Sequence, residues 1–225
     1  MNRCVHDWFK ALGLPRLVFS LLLVLLSAWA GPNFFSDSNN FFDSKVLDGL
    51  QNQIPSGVGS VLLIVYQLSG VHVTAVLVLA VLCFLALKRF WSELICLMVG
   101  TSGILVIVDG VLKPWFDRDR PDGKLLPLGG PSFPSGHAAG AVVFYFMSCT
   151  LLAAHYPRLR RPLFSISSLW VALVWLSTLY CRAHWPSDIL AGSAVGYVWL
   201  SFCLAGFAAW ERHNLFTSSQ RSSNR

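Results

Sequence analysis

The sequence predicts an all-α, polytopic membrane protein with six transmembrane helices and an interfacial helix after the first. Hydrophobic residues make up 55% of the 225 and charged residues only 12%, about half the charged share of a soluble domain. Apolar runs near membrane-spanning length recur along the chain. Between them, Lys and Arg gather in short clusters, as the positive-inside rule requires.

The first span is expected at residues 17–30, preceded by Arg3, Lys10 and Arg16. It is short for a spanning helix, and Ala28-Trp29-Ala30 resembles a signal-peptidase site. A retained helix is favoured over a cleaved signal because the polar segment before it is long and more spans follow. Residues 31–56 carry Phe34, Phe35, Phe41 and Phe42 with Asp37, Asp43 and Asp48, a composition suited to the membrane interface. Residues 57–68 are apolar but stop at Ser69-Gly70, so they read as an interfacial or re-entrant helix leading into a span. The remaining spans are expected at 71–87, 94–112, 136–155, 163–180 and 189–210, with residues 211–225 as a polar cytoplasmic tail. No internal repeat or linker divides residues 1–225, so they form a single membrane domain.

Threading the loops alternately puts Arg3, Lys10, Arg16, Lys88, Arg89, Arg158, Arg160, Arg161, Arg212, Arg221 and Arg225 on one side, and the other six of the 17 Lys and Arg on the other. Both termini are therefore expected in the cytoplasm, with the polar motif loops on the non-cytoplasmic face. The net charge of +6 does not point to nucleic acid, because no basic helix face or aromatic-interleaved patch accompanies it. Cys83, Cys96, Cys149 and Cys203 lie inside apolar runs and no cysteine pair has metal-ligand spacing. Cys181 is read as a packing residue. Membrane lipids are the expected surroundings; the sequence does not define an oligomeric state.

Three segments on one predicted side concentrate polar chemistry: 113–121, holding Lys113, Arg118, Arg120 and Pro121; 132–137, reading Ser-Phe-Pro-Ser-Gly-His; and 182–188, holding Arg182, His184, Pro186 and Asp188. Lys113, Arg118, Arg120 and Arg182 supply positive charge and many N–H donors for an oxyanion. Pro134-Ser135-Gly136 opens a helix, where backbone N–H groups favour anions and a glycine admits close approach. Two histidines can divide nucleophilic attack and protonation of the leaving oxygen. His184 is the better nucleophile, because Pro186 suits the first helical position and makes Asp188 the third, able to reach back as a capping-box carboxylate does. A carboxylate on one imidazole nitrogen leaves the other free to attack.

Lys113 to Pro121 matches K-x6-R-P, Pro134 to His137 reads P-S-G-H, and His184 to Asp188 reads H-x3-D. In that order the motifs resemble the signatures of the type 2 phosphatidic acid phosphatase (PAP2) superfamily, which includes glucose-6-phosphatases and vanadium haloperoxidases. The resemblance implies a six-helix fold, a single PAP2-like domain, and hydrolysis of a lipid phosphate through a phosphohistidine, with no metal or cofactor. By position it makes His184 the nucleophile, Asp188 its orienting carboxylate and His137 the general acid. Lys113, Arg120, Ser135 and Gly136 would hold the phosphoryl oxygens.

One departure stands out: the family's third motif usually reads S-R-x5-H-x3-D, whereas this chain has Ser177-Thr178 there. Arg182, four residues on, is expected to continue the helix and present its guanidinium on the same face, taking over the phosphate contact. Some relatives in the resemblance, including inositol phosphorylceramide synthases, carry an arginine at that later position, which leaves transfer to an acceptor lipid as the rival activity. A non-catalytic anion-binding membrane protein is the rival of another class, opposed by the intact His137, His184 and Asp188. Arg118 either contacts phosphate or shields it. Asp109 is expected to pair with Lys113, and His6, His72, His155 and His213 to be interfacial or incidental. Gly136-x3-Gly140 and Gly192-x3-Gly196 have the spacing of close helix pairs, which would bring His137 toward His184.

Overall fold

The computed structural model describes residues 41–223, with Val18, Phe19 and Leu22 from the segment before them. The expected first span at 17–30 lies outside the described residues except at those three positions, where Phe19 meets the ring of Tyr197 edge-on. The cleavage question at 28–30 lies outside them altogether.

Every regular element among the described residues is helical: α1 (Phe41–Gln53), α2 (Ser56–Leu68), α3 (Val71–Leu87), α4 (Trp91–Leu105), a π-helical stretch (Val106–Leu112), α5 (Lys113–Phe116), α6 (Gly136–His155), a 3-10 turn (Pro157–Leu159), α7 (Arg160–Tyr180) and α8 (Pro186–Ser223). Four stretches are long and apolar enough to cross a membrane: Trp91–Phe116, Gly136–His155, Pro157–Tyr180 and Pro186–His213. The pair α2 and α3, bent by 56° at Ser69-Gly70, makes a fifth if counted as one. Alone, α3 has 17 residues and rises about 26 Å, short of a hydrocarbon core of roughly 30 Å. Four or five spans are thus present among the described residues, where five of the six expected spans fall.

The middle of the bundle is α6. It buries Ala139, Val142, Val143, Met147 and Leu151 against α4, α7 and α8. The outward faces of the other helices keep Val76, Leu79, Val99, Ile166 and Leu169 exposed, as lipid contact permits and water would not.

Small residues set the closest approaches. A Cβ at Gly192 would lie 2.4 Å from the carbonyl oxygen of Ser135, and one at Gly196 would lie 2.7 Å from that of Ala139. The backbones of α6 and α8 therefore touch at their site ends. Gly192-x3-Gly196 makes this contact as expected, but Gly136-x3-Gly140 does not share it: Gly140 faces open space and Gly136 faces Val108, Asp109 and Lys113. At the far end of α6, His155 is bonded, not incidental: its Nε2 is 2.5 Å from Glu93 Oε1 and its ring stacks on Phe90.

Candidate active site

The start of α6 is built by its own sequence. Ser135 is the N-cap, and its Oγ accepts from the Ala138 N–H at 3.3 Å. The Ser135 N–H donates to the Asp188 carbonyl at 3.0 Å, so the first turns of α6 and α8 are tied directly. His137, second in α6, stacks on Tyr66 of α2 with ring centroids 5.0 Å apart. It meets His184 at 5.9 Å, with the rings inclined by 65°.

Lys113, where the π-helical stretch ends, bonds Asp109 Oδ1 at 2.6 Å, the pairing expected. Its Nζ is 3.6 Å from where a Gly136 Cβ would be, so the ammonium stands over the N-terminus of α6. There the helix dipole and the unbonded N–H groups of the first turn favour an anion.

His184 is 1% exposed. Its Nδ1 is 2.9 Å from the Ser132 carbonyl oxygen and 3.5 Å from Asp188 Oδ2. A carbonyl only accepts, so Nδ1 carries the proton and Nε2 keeps its lone pair. Burial pushes this imidazole below its ordinary pKa; Asp188 opposes that shift, and the positive charges of Arg120 and Lys113 add to it. A neutral imidazole with a free Nε2 is the form a nucleophile requires.

Asp188 holds this geometry from the third position of α8. Its Oδ2 accepts from the Trp185 N–H at 2.9 Å, closing the capping box that the Pro186 register implies. Its Oδ1 accepts from Arg118 Nη1 at 2.6 Å. The second Arg118 nitrogen donates to Asp43 Oδ2 at 2.8 Å, and the guanidinium lies 5.2 Å over the Trp185 ring. Arg118 is thus buried between two carboxylates.

Arg120 buckles the motif loops. It donates to the carbonyls of Gly130 at 3.0 Å, Ala183 at 2.6 Å and Pro131 at 3.3 Å. It still lies within electrostatic reach of both imidazoles, and burial lowers its own pKa.

Arg182 does not continue α7, contrary to the sequence expectation. The helix ends at Tyr180. The Ala183 N–H bonds the Thr178 carbonyl and the Arg182 N–H bonds that of Leu179, each at 3.0 Å. That is a Schellman closure with Arg182 at its left-handed position, φ +51°. Glycine usually fills that place, so nothing in the sequence announced the stop. The guanidinium pairs with Asp48 of α1 and donates to the Asp122 carbonyl at 3.2 Å. Thr178 is 1% exposed, and its hydroxyl donates to the Trp175 carbonyl of its own helix. Cys181 packs with Tyr66 and Ala183, and burial pushes its thiol up to about 11, so it is no nucleophile at neutral pH.

The structure therefore gathers His137, His184, Asp188, Lys113, Arg120, Ser135 and Gly136 at one end of the bundle. Sequence reasoning missed three contributors: the Ser132 carbonyl, the ring of Tyr66, and Asp43. Ser132 stood in the second motif segment, but its carbonyl carries no side-chain signal, and Asp43 was one of several carboxylates in the aromatic segment ahead of the arginine-rich motifs.

A family model described as the PAP2 superfamily matches residues 91–212, an interval holding all three motifs. Phosphatidylglycerophosphatase B of Bacillus subtilis is 34% identical over 125 residues, 53% of this chain and 60% of that protein. Lipid A 1-phosphatase of Porphyromonas gingivalis is 39% identical over 113 residues, 48% of this chain and 23% of that protein. The chain thus spans at most 60% of the length of these two relatives. Among solved structures, the transmembrane PAP2 type phosphatidylglycerolphosphate phosphatase from Bacillus subtilis has the same fold. The TM-score is 0.74 at 21% identity, covering 82% of this chain and 94% of that one.

Proposed function

The chain belongs to the PAP2 superfamily, and on that footing we propose that it is a membrane phosphatase hydrolysing a lipid phosphate or lipid diphosphate through a phosphohistidine, without a metal. The observation that carries the reading is the facing pair of imidazoles, 5.9 Å apart, beside a lysine standing over a helix N-terminus.

In the first step His184 Nε2 attacks phosphorus, and the bond to the lipid oxygen breaks. That oxygen takes a proton from His137, which the bound phosphate dianion holds in its charged form, and leaves as the lipid alcohol, or as the lipid monophosphate if the substrate is a diphosphate. In the second step a water gives its proton to His137 and attacks the phosphohistidine, releasing inorganic phosphate and restoring His184. The Ser132 carbonyl and Asp188 hold the attacking ring and stabilise the positive charge it acquires. Lys113, Arg120, the Ser135 hydroxyl and the N–H groups at Gly136 receive the phosphoryl oxygens. Arg118 and Arg182 have other work: Arg118 orients Asp188, and Arg182 anchors the loop before α8 to α1.

With both termini cytoplasmic, as the lysine and arginine bias requires, the site opens on the non-cytoplasmic face. There it meets a headgroup without extracting the lipid. Phosphatidate, phosphatidylglycerophosphate and a polyprenyl diphosphate all fit this chemistry, and the name of the Bacillus relative favours the second. The test is phosphate release by purified full-length protein from a panel of these lipids, with and without an acceptor lipid. Release without acceptor is expected; release only with acceptor would make the protein a phosphotransferase.

A further inference from the structure

We propose that Asp43 is a positioning residue of the catalytic site, acting through Arg118 to keep Asp188 effective as the anion behind His184. The proposal rests on the reading of His184 as the nucleophile.

Asp43 lies in the first turn of α1, far in sequence from every motif, yet it is only 5% exposed. Its Oδ2 accepts from Arg118 at 2.8 Å and from the Ser187 hydroxyl at 2.5 Å, and its Oδ1 accepts from the Ser187 N–H at 3.1 Å. Arg118 reaches with its other nitrogen to Asp188 Oδ1 at 2.6 Å and to the Ser187 hydroxyl at 2.7 Å. Two buried carboxylates thus share one guanidinium. One turn further along α1, Leu47 is 1% exposed, and the next residue, Asp48, pairs with Arg182. Through these contacts α1 is fastened to the loops that lead into α6 and α8 and to the first turn of α8.

The charge count gives this arrangement a consequence for the reaction. As His184 attacks phosphorus, its ring gains positive charge. Lys113 and Arg120 oppose that charge and Asp188 favours it. Arg118 and Asp188 alone would form a pair of zero net charge, cancelling much of what Asp188 offers. Adding Asp43 returns the cluster to a net charge of −1, so Asp188 keeps its pull on the imidazole. In a buried site such a charge is weakly screened, whereas a solvated ion pair would hardly be felt.

A purely structural ion pair would affect folding and leave the chemical step alone, and this separates the two readings. Full-length protein in detergent micelles is assayed on whichever lipid phosphate of the panel it hydrolyses fastest. Asp43→Asn keeps the shape and an acceptor for the Ser187 N–H, but it removes the charge and sets an N–H group against Arg118. It should lower kcat about tenfold, a loss of about 1.4 kcal/mol in transition-state stabilisation. KM should stay within about twofold and the gel-filtration profile should be unchanged. Asp43→Glu should restore most of the rate. In an Arg118→Met background, where the guanidinium that links Asp43 to Asp188 is gone, adding Asp43→Asn should cost no further rate. An unchanged kcat in Asp43→Asn overturns the inference, and so does a loss matched by lost folded protein. The full tenfold loss persisting without Arg118 would also overturn it. No phosphate release by the wild type from any lipid of the panel would overturn the phosphatase reading, and this inference with it.

Discussion

Replacing Gly192 with alanine tests how the fold delivers the two histidines to each other. A Cβ there would stand 2.4 Å from the Ser135 carbonyl oxygen, whereas ordinary contact begins at 3.4 Å. The obstacle is backbone, so α8 must move away from α6 by about 1 Å. The Ser135 N–H to Asp188 carbonyl bond joins the same two helices beside the imidazoles, so the shift reaches the spacing between His137 and His184. Misplacing reacting groups by ~1 Å costs ~10²-fold in rate. Helix propensity works the other way, because alanine stabilises a helix by roughly 0.8–1 kcal/mol over glycine. Gly196→Ala, with its Cβ 2.7 Å from the Ala139 carbonyl, should cost less, about tenfold. Gly140→Ala meets open space and should keep the wild-type rate. The assay is kcat on a lipid phosphate in micelles, normalised to monodisperse protein on gel filtration. Near-normal turnover in Gly192→Ala, or equal damage from Gly140→Ala, would refute the reasoning.

The acid limb of kcat/KM should fall below pH 6.5, because burial pushes the free-enzyme pKa of His184 below its ordinary value and only the neutral ring attacks; a limb above pH 7 would contradict this. Arg120→Ala should lose ~10²-fold in rate, because its charge faces both imidazoles and its donors hold the motif loops, while Arg182→Ala should lose less than about tenfold because its terminal nitrogens pair with Asp48 and the Asp122 carbonyl. Equal losses in the two variants would return Arg182 to the phosphate. Activity should survive excess EDTA and be inhibited by vanadate, since lysine, arginine and backbone N–H groups meet the phosphoryl charge; loss to EDTA with recovery on added magnesium would overturn the mechanism.

What the sequence made legible is what local geometry decides. Pro186 set the helix register that put Asp188 at its third position, and the capping bond to Trp185 is present. The Gly192-x3-Gly196 spacing predicted the α6–α8 contact, because only residues without a side chain allow that approach. Its apparent counterpart on α6 was misleading: the same spacing at Gly136 and Gly140 leaves one glycine facing Lys113 and the other facing space. The end of α7 was hidden because an arginine occupies the left-handed position that glycine normally marks. Asp43 was hidden for another reason. One of two carboxylates on α1, Asp43 has no spacing relation to Arg118, 75 residues away, and only the folded chain brings them together. The span count depended on an apolar run at 17–30 that lies outside the described residues.

The central claim is that His184 carries the phosphoryl group. Incubating the purified protein with a lipid phosphate labelled in its phosphate, then quenching rapidly in base, should leave label on the protein. That label should be stable to alkali, lost in acid, and located at His184. His184→Ala should show neither label nor turnover, while His137→Ala should still label slowly from a substrate with an activated leaving group. Acid-labile label or sustained phosphate release in His184→Ala would contradict the account.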